Sequence, residues 1–191
     1  MTHLSKYHIS VETMEQECSV IEACKKDIAA FQPLYEKYHE PIFRFIYQRC
    51  DNKDVAFDIT QQVFVKAMLN LHRYTFKGLP FSSWLYRIAK NEVFKEIDKN
   101  KIQRTVNVDV VGLKELFDDI DGNDLQLSKE KSLTICMSQL VALDLQLIEM
   151  RFFESRPFKE IGEVLEITEN NAKVKVYRML DKLKKCILAH I

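Results

Sequence analysis

Apolar residues return at intervals of three and four along most of this chain, the period of helices that bury one face. Val20, Ile21, Cys24, Ile28, Phe31, Leu34, Tyr35 and Tyr38 form the first series, which predicts one or two amphipathic helices interrupted near Pro33. Pro41 is expected to open the next helix, with Ile42, Phe45 and Ile46 on its buried face. Asp51, with Asp54 three residues on, resembles an N-cap with an acidic first turn. Behind it Val55, Ile59, Val63, Ala67 and Leu71 come at intervals of four, the clearest helical stripe in the chain.

The stretch HRYTFKGLP, residues 72–80, holds a glycine, a proline and aromatics expected to be exposed, so it reads as a loop. Ser82 or Ser83 is expected to cap the next helix, from about Trp84 to Asn100. Trp84, Leu85 and Ile88 turn inward there, which leaves Arg87, Lys90, Asn91 and Lys95 for another surface. Periodicity lapses over residues 105–127, where Asp, Gly and Asn gather. It resumes near Leu133, and Leu140, Leu143, Leu147, Ile148 and Met150 to Phe153 predict a helix that ends before Pro157. Phe158, Ile161, Val164 and Leu165 give a short helix, and Ile167 and Thr168 a turn in which Thr168 caps the last helix of the chain. Ala172, Val176, Leu180, Leu183 and Ile187 are the stripe of that longer final helix. A short helix, a tight turn and a basic helix is the order of a helix-turn-helix.

The expected fold is therefore all-α, with two small helical domains. Residues 1–14 are an extension, 15–104 the first domain, 105–130 a flexible acidic linker, and 131–191 the second domain with the helix-turn-helix. Composition agrees: 47% apolar residues suffice for packed cores, and four glycines with four prolines are too few for the turns of a many-stranded β fold. The first residues lack an apolar core behind a basic cluster, and no run of eighteen apolar residues occurs, so a cytosolic chain without membrane insertion is expected. Five widely spaced cysteines without a CxxC pair argue against both a disulfide framework and a zinc ribbon, and are expected to be buried or incidental thiols.

A formal net charge of zero is poor support for nucleic-acid binding, but the distribution changes that picture. From Asn170 to Lys185 six cations, Lys173, Lys175, Arg178, Lys182, Lys184 and Lys185, meet one carboxylate, Asp181. Trp84 to Arg104 is also net basic, and Thr105 to Glu130 between them is strongly acidic. On the final helix, Asn170, Asn171, Lys173, Lys175, Arg178 and Lys182 occupy positions outside the apolar stripe. That division suits a helix in the major groove, with donors near its start for base edges and cations further along for phosphates. An ordinary solvated lysine-rich face is the alternative, but the preceding short helix and the Thr168 cap favour DNA reading. In the loop, Tyr74, Phe76 and Lys77 could steady an unpaired base by stacking and charge, while an aromatic staple of Phe76, Phe81 and Trp84 onto a small core stands equally open. The five histidines are scattered, and no HExxH, P-loop or GxSxG motif is present, so no catalytic, metal or cofactor site and no small-molecule substrate is expected.

DITQQVF at residues 58–64, FSSWLYRIAKN at 81–91 and FKEIGEVLEITENNAKVKVYRML at 158–180 lie in an order and at separations that resemble the extracytoplasmic-function sigma factors of the sigma-70 family. The resemblance spans about residues 15–187. It implies a non-catalytic subunit that gives core RNA polymerase its promoter DNA, with a first domain that grips the enzyme and opens the minus-ten element and a second that docks on the minus-thirty-five element. It places Asp58, Gln61 and Gln62 against the polymerase, with Phe64 packing, and the 72–80 loop on a flipped base. Asn91 holds the asparagine position of the family motif. Lys173, Lys175 and Arg178 hold the basic positions of the upstream reader. Glu96 and Asp98 interrupt a basic run usual in the family, and Asn170 and Asn171 stand where Gly-Thr is commoner. A membrane-linked anti-sigma partner is implied by the same resemblance. A stand-alone helix-turn-helix regulator is the alternative, and a helical enzyme with a DNA-binding tail a third.

Overall fold

The structure is a computed structural model that describes residues 11–100, 116 and 127–189. Among these residues every regular element is helical. The described residues divide into two compact units, 11–100 in the first and 116 with 127–189 in the second.

In the first unit α1 (Val11–Lys26) leads through a 3₁₀ turn (Ile28–Phe31), capped by Asp27, into α2 (Gln32–Cys50). The last four residues of the expected N-terminal extension are thus helical, and residues 1–10 lie outside the described residues. Pro33 falls in the first turn of α2, where its missing N–H costs nothing. Pro41 does not open a helix as expected: it sits inside α2, which runs on through it. Asp51 is likewise not an N-cap. It ends α2 in the left-handed region (φ 47°), its N–H donating to the Tyr47 carbonyl over 2.9 Å, a conformation a short polar side chain tolerates. The cap of α3 (Lys53–Asn70) is Asn52, whose side chain accepts from the N–H groups of Asp54 and Val55 over 3.1 Å each. After a 3₁₀ turn (Leu71–Arg73) and the loop, α4 (Phe81–Asn100) begins directly behind Pro80. Ser82 and Ser83, expected as caps, are therefore inside its first turn and buried.

α2, α3 and α4 pack pairwise into a three-helix core built on Ile42, Phe45, Ile46, Ile59, Val63, Phe64, Ala67, Leu85, Ala89 and Val93. The expected α3 stripe is buried from Ile59 to Leu71, with Val55 half-buried at its start. α1 is held to α2 by a buried polar pair, in which Tyr38 Oη donates to the Glu17 carboxylate and Lys37 Nζ bonds the same oxygen over 2.5 Å. Burial and the adjacent carboxylate push the Tyr38 hydroxyl far above the ordinary tyrosine range, so it remains a donor at every working pH. A Lys66–Glu92 ion pair of 2.6 Å joins α3 to α4.

The second unit contains α5 (Leu127–Ser138), α6 (Ala142–Ile148), a π turn (Glu149–Phe153), α7 (Phe158–Leu165) and α8 (Glu169–Ala189). α5, α6 and α7 all pack on α8, whose Ala172, Val176, Leu180, Leu183 and Ile187 are buried as expected. Below α7 lies a buried charge cluster. Arg156, 1% exposed, bonds Glu154 over 2.6 Å and Glu160 over 3.4 Å, while its own N–H donates to the Met150 carbonyl. α5 begins inside the span expected to be linker, and the acidic residues 105–115 and 117–126 lie outside the described residues.

The cysteines depart from expectation in one respect. Cys136 on α5 and Cys186 on α8 form a disulfide with 5.9 Å between Cα atoms, while Cys18, Cys24 and Cys50 remain thiols. Fifty residues separate the pair in sequence, and only the packing of α5 on α8 brings them within bonding reach.

Removing one partner of a desolvated ion cluster leaves the others buried and uncompensated. Arg156→Ala is expected to destabilise the second unit by about 3–5 kcal/mol, against about 0.5 kcal/mol or less for the exposed Arg178→Ala. Urea denaturation of the two variants checks this, and equal midpoints would show the cluster to be energetically idle.

Candidate nucleic-acid interface

Two faces of the first unit and one of the second present the candidate side chains. On α3, Asp58 and Gln62 are exposed and Gln61 half-buried, all off the buried stripe, while Phe64 is buried against Phe31 and Tyr35. The same outer face carries Phe57, Val65 and Leu69, each close to half exposed or more. With Gln61 they form a row at intervals of four, so they line one strip of the helix. Large apolar side chains in a row on an outer face mark a surface built for contact. Only the polar members were expected there. The usable clue to the others was that Phe57, Val65 and Leu69 fall out of phase with the Val55–Leu71 stripe.

The loop splits the three residues assigned to it. Tyr74, expected to be exposed, is 7% exposed, its ring edge-on to Phe81 at 5.2 Å and to Trp84 at 5.3 Å. Its carbonyl accepts from Lys25 Nζ over 3.0 Å, which ties the loop to α1. Phe76 is 47% exposed, and Lys77 is exposed too. The staple is therefore Tyr74, Phe81 and Trp84, and Phe76 is the aromatic left at the surface. Gly78 in the left-handed region (φ 66°) lets the chain turn back toward Pro80.

On α4 the expected polar stripe is narrower than the pattern implied. Asn91 and Lys95 are exposed or partly so, Arg87 is half-buried, and Lys90, expected at the surface, is 7% exposed. Phe81, Leu85, Tyr86, Ala89 and Val93 are buried, so α4 is covered around more of its girth than a simple surface helix, and Ile88 is only half-buried.

In the second unit α7 ends at Glu166, which takes the left-handed conformation (φ 59°, ψ 39°). The Ile167 N–H returns to the Gly162 carbonyl over 2.9 Å. The turn lies so close on α7 that a Cβ on Gly162 would stand 2.8 Å from the Ile167 oxygen, so this side of α7 has no room for a side chain. Thr168 then caps α8, its Oγ1 accepting from the Asn171 N–H over 3.2 Å. From that start Asn170, Asn171, Lys173, Arg178 and Lys182 are exposed, and Lys175 is half-buried. Val174 and Tyr177 share the exposed face, where neither was expected. The arrangement is a capped helix N-terminus with amide donors first, followed by cations among which Val174 and Tyr177 are interspersed.

Sigma-70 region 2 matches residues 34–102, and sigma-70 region 4 matches residues 136–185. The chain belongs to the extracytoplasmic-function sigma factors of the sigma-70 family. Region 2 thus covers α2 to α4 with the loop, and region 4 covers the helix-turn-helix from the end of α5 to the body of α8. Among curated sigma factors of this group, SigW of Bacillus subtilis is 29% identical over 170 residues, covering 84% of this chain and 90% of SigW. BldN of Streptomyces coelicolor is 25% identical over 167 residues, covering 83% of this chain, and the chain spans 60% of BldN's length. In fold, the chain is similar to the sigma factor RpoE of Bartonella quintana, solved in complex with the anti-sigma factor NepR, with a TM-score of 0.53 at 16% identity, covering 82% of this chain and 96% of that one.

In this sigma factor the two loop aromatics separate by experiment. Tyr74→Ala is expected to cost about 3 kcal/mol or more, as truncation of a buried ring does, and Phe76→Ala to stay within about 0.5 kcal/mol. Thermal melts of the two variants decide it, and comparable losses would return Phe76 to the core.

Proposed function

We propose that this sigma factor directs core RNA polymerase to its promoters by binding alone, with no covalent step, no cofactor and no small-molecule substrate. The observation that carries the reading is the pairing of region 2 and region 4, one in each compact unit, with the exposed cationic face of α8 set behind a capped helix-turn-helix. A stand-alone regulator would need only the second unit and leaves the region 2 match without a purpose.

Each surface has a role on this reading. The α3 row of Phe57, Gln61, Val65 and Leu69, flanked by Asp58 and Gln62, docks on the polymerase, with apolar contact supplying affinity and the polar groups register. Phe76 and Lys77 receive an unpaired minus-ten base, with ring stacking offsetting lost base stacking and the ammonium holding the backbone. Tyr74 positions that loop from within. Asn91, Lys95 and Arg87 face the same strand, and Lys90 supports them from its buried position. On α8, Asn170, Asn171 and Lys173 meet base edges of the minus-thirty-five element, Val174 and Tyr177 offer apolar contact to thymine methyl groups, and Arg178, Lys182 and the Lys175 ammonium meet phosphates. A single helix with so few phosphate contacts binds DNA weakly, so useful occupancy needs both units engaged on one enzyme. The protein works where the polymerase does, in the cytoplasm, without membrane insertion. An anti-sigma partner is the expected restraint, and support comes from the Bartonella quintana RpoE, which is solved with one.

Transcription by core polymerase with and without the chain tests the reading. Phe76→Ala is expected to lower output from a duplex promoter more than from one with a pre-melted bubble, and equal loss on both templates would remove the base-capture role. Across promoters varied only in the upstream element, Lys173→Ala should change sequence preference by about 1–3 kcal/mol, while Arg178→Ala should weaken all promoters alike and flatten the salt dependence. Wild-type behaviour of both variants on every promoter would reduce the α8 face to solvated surface.

A further inference from the structure

Cys136 lies on the buried face of α5 with Leu133 and Met137, and Cys186 lies near the end of α8 beside the buried Ile187. Their Cα atoms are 5.9 Å apart, within the range a disulfide accepts without backbone movement. The cross-link encloses α6, the π turn, α7 and most of α8, so it ties the whole helix-turn-helix into one covalent loop. Closing a loop of that length removes much of the unfolded chain's freedom and shifts the unit toward its folded form. In a compartment where small thiols keep cysteines reduced, such a bond is reversible in use.

The other three cysteines form no such pair in the structure and remain thiols. Cys24 and Cys50 are buried, and burial pushes the Cys18 and Cys24 thiols upward, with Glu17 adding to the rise at Cys18. Cys186 is more accessible than Cys136, and its helix carries exposed Lys182, Lys184 and Lys185 within the preceding turn.

We propose that Cys136 and Cys186 are a reversible thiol–disulfide couple through which the second unit responds to low-molecular-weight disulfides, the cross-linked form holding α8 folded and the dithiol form opening more readily. Its consequence for promoters rests on α8 being the DNA reader; its chemistry does not. The Cys186 thiolate attacks one sulfur of the small disulfide, whose S–S bond breaks and releases one small thiolate, which takes up a proton. The Cys136 thiolate then attacks the Cys186 sulfur of the mixed disulfide and expels the second small thiol. Two cysteine thiols are oxidised to one disulfide while one small disulfide is reduced to two thiols, so electrons and protons balance.

The test equilibrates the full chain with reduced or oxidised glutathione and reads three quantities: thiol mapping by peptide mass, the thermal melt, and transcription with core polymerase. In the oxidised buffer a Cys136–Cys186 cross-linked peptide should dominate, and the second unit should melt on the order of 10 °C higher than in the reduced buffer. The Cys136→Ala, Cys186→Ala double variant should melt alike in both buffers, at or below the reduced wild type. Accumulation of glutathione adducts or of other pairings, or coincident wild-type melts, would overturn the couple. If cross-link and melting shift appear while Lys173→Ala and Arg178→Ala leave transcription untouched, the couple stands and the DNA-reader assignment falls instead. With both intact, dependence on the upstream element should persist in oxidised buffer at temperatures where reduced protein has lost it, and an unchanged dependence there would disconnect the couple from promoter use.

Discussion

One apolar seam carries the second unit: Ala172, Val176, Leu180, Leu183 and Ile187 of α8, against which α5, α6 and α7 are all laid. None of those three helices exceeds twelve residues, and helices that short are marginal alone in water. They persist because each buries its apolar side on α8, at about 1.5–3 kcal/mol for every large aliphatic side chain fully covered. The same seam also sets the outer face. Once it fixes the rotation of α8, the intervening Asn171, Lys173, Val174, Tyr177 and Arg178 have nowhere to go but solvent, so the packed core and the exposed amide and cationic face are two consequences of one helical period.

The approach to that helix is rigid for separate reasons. Arg156, buried with Glu154 and Glu160, fixes the segment leading into α7, and the close passage of Gly162 under Ile167 fixes the turn out of it. A buried charge cluster is a poor source of net stability, but it is unforgiving of rearrangement, since any shift strands a charge away from water. Such stiffness suits an element that holds a row of amides and cations at defined spacing, as the proposed promoter reading requires.

The first unit separates support from contact less cleanly. In α4 the buried positions reach around most of the helix, and in the loop one aromatic is used for anchorage while its neighbour two residues on stays outside. Tyr74 holds the loop through Phe81, Trp84 and the Lys25 bond, and that anchorage leaves Phe76 at the surface without collapse onto the core. The apolar row on α3 obeys the reverse logic: Phe57, Val65 and Leu69 keep about half or more of their surface exposed, which is the feature the proposed polymerase contact rests on.

The sequence by itself determined what depends on local period and local chemistry. The all-helical class, the α3 stripe, the helix-turn-helix with Thr168 as cap and the α8 seam were legible because an amphipathic helix writes its burial into its spacing. Only the tertiary structure decided what depends on neighbours distant in the chain. Pro41 is carried through an unbroken α2 because packing outweighs one lost hydrogen bond, and Asp51 closes a helix where its composition suggested an opening. Lys90 is covered although its place in the pattern reads as surface, and Tyr74 is inside because Trp84 and Phe81 lie where its ring can reach them. Cys136 and Cys186 are bonded although fifty residues separate them, since proximity through space is set by how α5 lies on α8 and leaves no trace in the spacing of either.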